Sequence, residues 1–357
     1  MSPQINQLDF KGQLFFIGID VHKQKWSVTI LDDERELQRF SMNPNPEELA
    51  RYLQRNYPGG RYKSAYEAGF SGFWIHRRLV ELGIDNIVVH AADIPTRQRE
   101  KNQKSDKIDS RKIARELRNG SLQGIWVPDP ALQDLRSLCR LRFKLARDRS
   151  RTKNRIKHFL HIKGITIPDP SEIWHWTSAF DDWLESIAFE NQTARDCLSG
   201  YVKEYKYLQK LIDDTLNKLR QYSQQAELRE TIYDHLMSIP GIGFIIAITF
   251  YTELGDPRRF KRLDQMACFV GLVPSVSASG EKERVRGISD RHNRYLRYLL
   301  LEAAWVAVSK DPAMGLAYKQ LCKRMSKQEA IIRIAKKLLN RLRYVWINRK
   351  PYVVAVC

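Results

Sequence analysis

Up to Gly120 the chain alternates between short apolar segments and segments of helical periodicity, and this alternation constrains the fold most strongly. Trp26, Val28 and Ile30 alternate with polar residues, and an apolar residue at every second position is typical of a half-buried strand. Strands are expected at residues 14–19, 26–30, 37–41, 63–66 and 87–89, and helices at residues 46–56, 74–82 and 106–119. Three strands followed by alternating helices and strands predict an α/β domain with a ribonuclease-H-like order of elements.

The composition changes near Ala131, where a long basic helical segment begins and continues to Lys163. A second helix is expected from about Thr193 to Gln225. Its apolar residues follow spacings of four and three, as in a coiled coil, at Tyr201, Tyr205, Leu208, Ile212, Leu216 and Leu219. The two segments predict an antiparallel helical hairpin, and a dimer zipper is the alternative.

The segment Ser238–Gly243 reads Ser-Ile-Pro-Gly-Ile-Gly and precedes an apolar helix expected at Phe244–Leu254. A Gly-x-Gly turn that opens a helix can present backbone N–H groups to a phosphate. Helix-hairpin-helix motifs contact DNA in this way without reading its sequence. The alternative is a tight turn that only packs two helices together.

The remaining C-terminal residues are expected to be mainly helical, which makes the fold class α/β plus mainly α. A polar loop is expected from Gly271 to Arg291, and a helix from Asn293 to Ser309. Between Lys319 and Lys350 the chain has eleven Lys or Arg and one acid, Glu329. Because apolar residues recur there at helical spacing, we expect one amphipathic basic helix.

The charge balance indicates the class of partner. The 357 residues include 60 Lys or Arg and 41 Asp or Glu, a net charge of +19. Such an excess predicts a polyanionic partner, with nucleic acid first and an anionic membrane surface second. With 43% hydrophobic residues, the chain is not mainly disordered or fibrous.

The five cysteines are far apart and odd in number, so neither a disulfide framework nor a zinc knuckle is expected. No apolar run has the length of a transmembrane helix, and the first residues lack the features of a secretory signal. We therefore expect a cytoplasmic protein without a membrane partner, associated with the nucleoid when it acts on DNA.

Four acidic residues occur where the predicted elements would bring them together. Asp20 ends the first strand, Glu67 ends the fourth, and Asp106 and Asp109 open a helix with a spacing that places both on one face. Clustered carboxylates repel one another unless cations bind between them, and hard oxygen ligands suit Mg²⁺ or Mn²⁺. The set predicts a metal site for phosphodiester chemistry.

Each of these acids also has a structural interpretation when it is taken alone. Asp20 fits a turn, and Asp106 fits an ordinary helix N-cap. His22 and His292 are candidate acid–base groups, although an isolated histidine is more often structural. The order of the elements is what favours the metal site.

The sequence resembles the DEDD transposases of insertion sequences, which are related to Piv-type DNA invertases and are described as bridge-RNA-guided recombinases. The matching segments follow the family's order between Phe16 and Ser309. They are Phe16–Val21, Tyr66–Gly69, Lys104–Arg111, Ile239–Gly243, Phe269–Pro274, Ser279–Gly280, Ile288–Ser289 and Tyr295–Arg297.

The resemblance implies a RuvC-like catalytic domain at residues 1–128, a basic helical hairpin at 129–230 and a transposase domain at 231–357. Asp20, Glu67, Asp106 and Asp109 would be the DEDD quartet that holds Mg²⁺ or Mn²⁺. Ser279, immediately before a glycine, would be the nucleophile that attacks a DNA phosphate and leaves a phosphoserine. Such covalent storage of the bond energy lets strands be resealed without ATP.

Residue chemistry alone does not select Ser279, because Ser275 and Ser277 are close rivals and no Gly-x-Ser-x-Gly elbow surrounds it. The resemblance also implies three partners: donor and target double-stranded DNA, a structured noncoding guide RNA, and further copies of the chain in a dimer or tetramer. The family's complete catalytic site combines residues from different protomers.

Two other functions fit the residues. A metal-dependent nuclease, such as a junction resolvase, would use water as the nucleophile and would not need Ser279. A non-enzymatic nucleic-acid-binding protein would use the glycine turn and the basic helices. A covalent protein–DNA intermediate distinguishes the recombinase from the nuclease.

Overall fold

The structure, a computed structural model, describes residues 9–95, 106–279, 282–288 and 292–354, without the side chains of residues 106–108, 274–279 and 282–288. The chain divides into two compact units, Met1–Val127 and Pro128–Cys357. Each unit has hydrophobic clusters of its own. Separate cores are the usual mark of parts that fold as separate domains.

The first unit contains a five-stranded mixed sheet in the order β3-β2-β1-β4-β5. Neighbouring strands are antiparallel from β3 to β1 and parallel from β1 to β5. The strands are β1 (Leu14–Val21), β2 (Trp26–Leu31), β3 (Glu36–Met42), β4 (Arg61–Glu67) and β5 (Asp85–Val89). The predicted α/β character and the order of elements are confirmed.

Three helices cover the sheet: α1 (Pro46–Asn56), α2 (Trp74–Glu81) and α3 (Asp106–Arg118). Side chains of α1 and α2 share a core with Trp26, Val28 and Ile30 of β2. The alternate residues of β2 are buried as well, and the Thr29 hydroxyl lies 2.9 Å from the Ser110 hydroxyl of α3. The expectation of a half-buried strand was therefore wrong, because α3 covers the polar side of β2.

The contact between α3 and β1 depends on Gly18. A Cβ atom at Gly18 would lie 2.0 Å from the Ser110 carbonyl oxygen and 2.4 Å from the Ala114 backbone nitrogen. Both are backbone atoms, which cannot rotate away as a side chain can. Only glycine at this position lets α3 approach the central strand so closely.

We expect Gly18→Ala to destabilise the first unit by about 1–3 kcal/mol, because an added methyl group must displace a packed helix. Chemical denaturation of the purified protein measures the change. Gly69→Ala is the matched control, since the nearest atom to its added Cβ is 3.9 Å away. Equal stability of the two variants would show that α3 does not need this close approach.

The second unit is mainly helical. Its helices are α4 (Pro130–Ile162), α5 (Ser178–Ser186), α6 (Gln192–Tyr222), α7 (Ala226–Arg229), α8 (Phe244–Leu254), α9 (Leu263–Val270), α10 (Arg294–Lys310), α11 (Pro312–Cys322) and α12 (Lys327–Asn348). A π-helical turn at Glu230–His235 follows α7. Within the part of the chain that the structure describes, no helix is both long and apolar enough to cross a bilayer.

Helices α4 and α6 form an antiparallel hairpin within one chain. Arg149 donates to Gln209, and Arg155 lies 3.2 Å from Glu204. A later residue of α4 thus contacts an earlier residue of α6, as expected for antiparallel helices. The alternate seam residues Tyr205, Ile212 and Leu219 are buried in this single chain. The hairpin interpretation is confirmed, and α5, which was not predicted, packs Phe180 and Leu184 against its far end.

The region expected to be a polar loop, Gly271–Arg291, contains an antiparallel hairpin of β6 (Pro274–Ser279) and β7 (Lys282–Ile288). The loop prediction was wrong for these two segments. In β6 only Pro274, Val276 and Ala278 alternate with serines, and in β7 four of the seven residues are charged, so the hydrophobic signal of both strands is weak. Backbone hydrogen bonding can pair strands whose side chains give little hydrophobic signal.

The expected single basic helix at Lys319–Lys350 is two helices, α11 and α12, and that prediction was also wrong. The break lies at Ser326, whose hydroxyl accepts from the Glu329 backbone N–H while the Glu329 carboxylate accepts from the Ser326 N–H. This reciprocal capping starts a new helix. The apolar face of α12 is buried, with Ile334, Leu338 and Leu342 in the core of the second unit.

Candidate active site

Two acidic residues lie at the same edge of the sheet. Strands β1 and β4 are parallel, and their pairing ends at Ile19 opposite Tyr66. Asp20 and Glu67 are the next residue on each strand. Because adjacent parallel strands are about 4.8 Å apart, this register places the two residues side by side at the carboxyl ends of the strands.

Helix α3 brings a third acidic residue to β1. Asp109 directly precedes Ser110, whose carbonyl faces Gly18 and whose hydroxyl contacts Thr29. Gly18 is two residues before Asp20, so the first turns of α3 lie along the end of β1 that carries the carboxylate. Asp109 is half-buried. Asp106 is the first residue of α3, and its side chain lies outside the described part of the structure.

His22 contacts the first carboxylate directly. Its Nε2 atom lies 3.1 Å from Oδ2 of Asp20. The Asp20 side chain is 19% exposed and that of His22 is 47% exposed. His22 is therefore placed to orient this carboxylate. In the sequence, His22 follows Asp20 by two residues. This spacing alone does not distinguish a histidine that positions the carboxylate from one that is only solvated.

The donor set suits a hard cation, because all the acidic groups at this edge are oxygen ligands. Among the side chains that the structure describes, no group of three or more His, Cys, Asp or Glu residues is arranged to hold a metal ion. The described set lacks one member of the quartet, Asp106. The oxygen donors of the residues present fit a magnesium ion in their chemistry, and Asp20 and Glu67 share one edge of the sheet.

The second unit carries the candidate nucleophile. Ser279 is the last residue of β6 and pairs with Lys282 of β7. Ser275 and Ser277 lie on the same strand. Gly280 and Ser289 of the motif segments lie outside the described residues, as do Lys104 and Ser105.

The two ends of the hairpin segment meet. Gly271 adopts a φ of 88°, and a Cβ atom there would lie 2.4 Å from Cβ of His292. The Asn293 N–H donates to the Phe269 carbonyl at 2.9 Å. His292 therefore packs beside Gly271. The segments before β6 and after β7 are held together at the helical core by this contact and by the hydrogen bond of Asn293.

A buried acidic residue supports this anchor. Glu253 of α8 is 2% exposed. Its carboxylate accepts two hydrogen bonds from Arg140, at 2.6 and 2.8 Å, and one from the Asn293 amide at 2.7 Å. The hydrogen bond to Glu253 raises the pKa of Arg140, while burial acts in the opposite direction. The cluster joins α4, α8 and the start of α10, and no sequence motif marks it.

We expect Glu253→Gln to lower the free energy of unfolding by about 2–3 kcal/mol, because Arg140 loses its buried counter-ion. The melting temperature and a urea titration measure the effect. Glu302→Gln is the control, since Glu302 is exposed on α10. A similar stability of both variants would mean that the Glu253 cluster contributes nothing net.

The glycine turn before α8 has two different glycines. Gly241 adopts a φ of 90°, and a Cβ there would lie 2.3 Å from the Ala303 carbonyl oxygen of α10. Gly241 therefore serves helix packing, the alternative named for this motif. A Cβ at Gly243, the N-cap of α8, would meet no atom within 4 Å. A phosphate contact at Gly243 stays a prediction.

Comparisons with known proteins agree with this arrangement. Residues 17–163 match a transposase family named for the DEDD transposases of IS110, and residues 233–319 match the family described as Transposase IS116/IS110/IS902. The chain is 29% identical to the candidate transposase y4rJ of Sinorhizobium fredii, over 92% of this chain and 90% of that protein.

Two further relatives carry the names of insertion sequences. The transposase for insertion sequence element IS1533 of Leptospira borgpetersenii is 24% identical over 94% of this chain and 96% of its own length. The transposase for insertion sequence element IS1111A of Coxiella burnetii is 27% identical over 66% of this chain and 65% of its own length.

The α/β unit with its acidic edge, followed by the helical unit, defines a DEDD transposase, an enzyme that cuts and rejoins DNA. Within this class the chain is similar to the IS110/IS116 family of insertion-sequence transposases, whose two family models match its N-terminal and C-terminal regions.

Proposed function

We propose that this transposase is a site-specific recombinase that moves its insertion sequence through a covalent phosphoserine intermediate. The observation that carries the proposal is the convergence of Asp20, Glu67 and the first turns of α3 at one edge of the sheet. That edge provides the acidic site, and the matched C-terminal region contains the serine strand.

Asp20, Glu67, Asp106 and Asp109 would hold Mg²⁺ or Mn²⁺. Such ions lower the pKa of an attacking hydroxyl and stabilise the charge on a leaving oxygen. The chain's own residues set the position of the site. His22 orients the Asp20 carboxylate, and Gly18 allows α3 to carry Asp109 to the end of β1.

The proposed reaction has two balanced transfers. The Ser279 hydroxyl oxygen forms a bond to a DNA phosphorus and loses its proton, while one bridging P–O bond breaks and its oxygen leaves as a DNA hydroxyl. In the second transfer a DNA hydroxyl attacks the phosphoserine, and the serine oxygen takes a proton again. The number of phosphoester bonds is unchanged, so no ATP is needed.

The partners are donor and target double-stranded DNA, a structured noncoding guide RNA and further copies of the chain. The net charge of +19 supports contacts to nucleic-acid backbones, and delegation of sequence recognition to base pairing suits a surface rich in backbone-binding cations. Exchange between two DNA sites requires more than one cleavage centre, which supports a dimer or tetramer. Action on chromosomal DNA would place the enzyme at the nucleoid.

The test is a covalent trap with the full-length protein. The protein is expressed with its flanking DNA, any adjacent noncoding RNA and a plasmid that carries the joined ends of the element. Cells are lysed in denaturant, and DNA linked to protein is measured. We expect an adduct with the wild type and none with Asp20→Asn, which removes a proposed metal ligand. Cut DNA without an adduct would overturn the serine mechanism.

A metal-dependent nuclease is the second candidate. It is favoured by the acidic edge, which lies wholly within the first unit and needs no residue of the serine strand. In that case water supplies the attacking oxygen, and cleavage products carry free ends from the first moment of the reaction.

A further inference from the structure

The turn that follows Glu67 is rigid. The Tyr66 hydroxyl donates to the Gly72 carbonyl at 3.0 Å and accepts from the His76 N–H at 3.3 Å. Tyr66 is fully buried, so water does not compete for these two hydrogen bonds. The Ala68 N–H donates to the Val89 carbonyl. The turn is therefore tied to the sheet at both ends.

This rigid turn presents two large aromatic side chains to solvent. Phe70 is 62% exposed, and Trp74, the first residue of α2, is 51% exposed. Phe73 between them packs against the core of the unit and anchors the segment. Two large rings exposed on one ordered segment are more informative than a single exposed ring, because grouped apolar surface marks interaction sites.

A positive charge accompanies the first ring. The Lys23 ammonium lies 5.8 Å from the centre of the Phe70 ring. Lys23 is three residues after Asp20, and Phe70 is three residues after Glu67. A cation and an aromatic ring that follow the two site carboxylates closely in the chain match the requirements of a nucleotide, which offers a phosphate to the cation and a base to the ring.

We infer that Phe70 and Trp74 stack on unpaired DNA bases beside the phosphate that the acidic site acts on. We choose DNA as the partner because Phe70 and Trp74 follow Glu67, a residue of the proposed acidic site, and this site would act on a DNA phosphate. Stacking would hold the strand in an opened conformation, since a paired duplex keeps its base faces covered. Both rings act as positioning residues, and this inference rests on the proposed location of the active site.

The test is a binding assay without divalent metal, so that cleavage plays no part. The full-length protein is titrated with a fully paired duplex and with the same duplex carrying four unpaired nucleotides, one of them 2-aminopurine. We expect the wild type to bind the opened duplex more tightly and to quench the 2-aminopurine fluorescence. Phe70→Ala and Trp74→Ala should each weaken binding to the opened duplex by about tenfold and reduce the quenching.

Three control variants test whether the aromatic rings themselves stack on the bases. Phe70→Trp should keep the quenching, because it keeps a ring, and Val80→Ala should change nothing, because Val80 is 49% exposed on the same helix but has no ring. Asp20→Asn should keep the preference for the opened duplex even where cleavage is lost, which separates this inference from the proposed function. Equal weakening on both duplexes overturns the inference. A shift of Phe70→Ala to a smaller assembly in gel filtration also overturns it, since the rings would then belong to a self-interface.

Discussion

Asp20→Asn lowers the rate of DNA strand cleavage by at least about a thousandfold while DNA binding persists. This is the expected result if the acidic edge holds the metal, because the amide cannot replace a charged ligand. A loss of about 4 kcal/mol in transition-state stabilisation corresponds to that factor. The measurement is cleavage of a plasmid with the element's joined ends, followed over time in Mg²⁺.

The matched control is Asp85→Asn. Asp85 is exposed and is the first residue of β5, where its backbone lies opposite Lys63 of β4. Its loss removes one negative charge from the same unit but from the opposite edge of the sheet, so we expect cleavage at the wild-type rate. Equal rates for Asp20→Asn and the wild type would move the active site away from this edge.

Ser279→Ala abolishes the covalent protein–DNA adduct and lowers recombination by at least about a thousandfold, since no other group then accepts the phosphoryl transfer. Ser275→Ala and Ser277→Ala are built into the same strand as controls and should keep the adduct. The readout is DNA retained on denatured protein, together with the yield of joined product.

The three serine variants have distinct outcomes. An adduct lost only in Ser277→Ala or only in Ser275→Ala would reassign the nucleophile within β6. Cleavage that continues in all three variants but stops in Asp20→Asn would support the nuclease that uses water. Because the two substitutions lie in different units, a folding defect in one unit does not imitate both results.

Local patterns predicted the first unit well. Strand β1 is a continuous apolar run up to Asp20, and α1 begins at a proline after Asn45, so each element can be identified from a few neighbouring residues. The long helix α4 was equally visible, because neither glycine nor proline interrupts it after Pro130. In these segments the periodicity of hydrophobic residues is a local property.

Features that depend on a distant partner were not predictable in the same way. Thr29 alternates like a solvent-facing residue, yet Ser110, far along the chain, buries it. The strands β6 and β7 have a weak hydrophobic signal, since their only large aliphatic residues are Val276, Val285 and Ile288, and the two strands form by pairing with each other. Glu253 lies in an apolar helix, and its burial becomes favourable only beside Arg140 and Asn293.

The amino-acid sequence by itself determined the order of strands and helices in the first unit, the excess of positive charge and the positions of the acidic residues near the ends of their elements. These are properties of neighbouring residues along the chain. The tertiary structure decided that β1 and β4 run parallel in a register that places Asp20 beside Glu67, and that Gly18 admits α3 to the same strand. Such contacts join residues that are far apart in the chain. They depend on strand pairing and side-chain packing, which form only when the chain has folded.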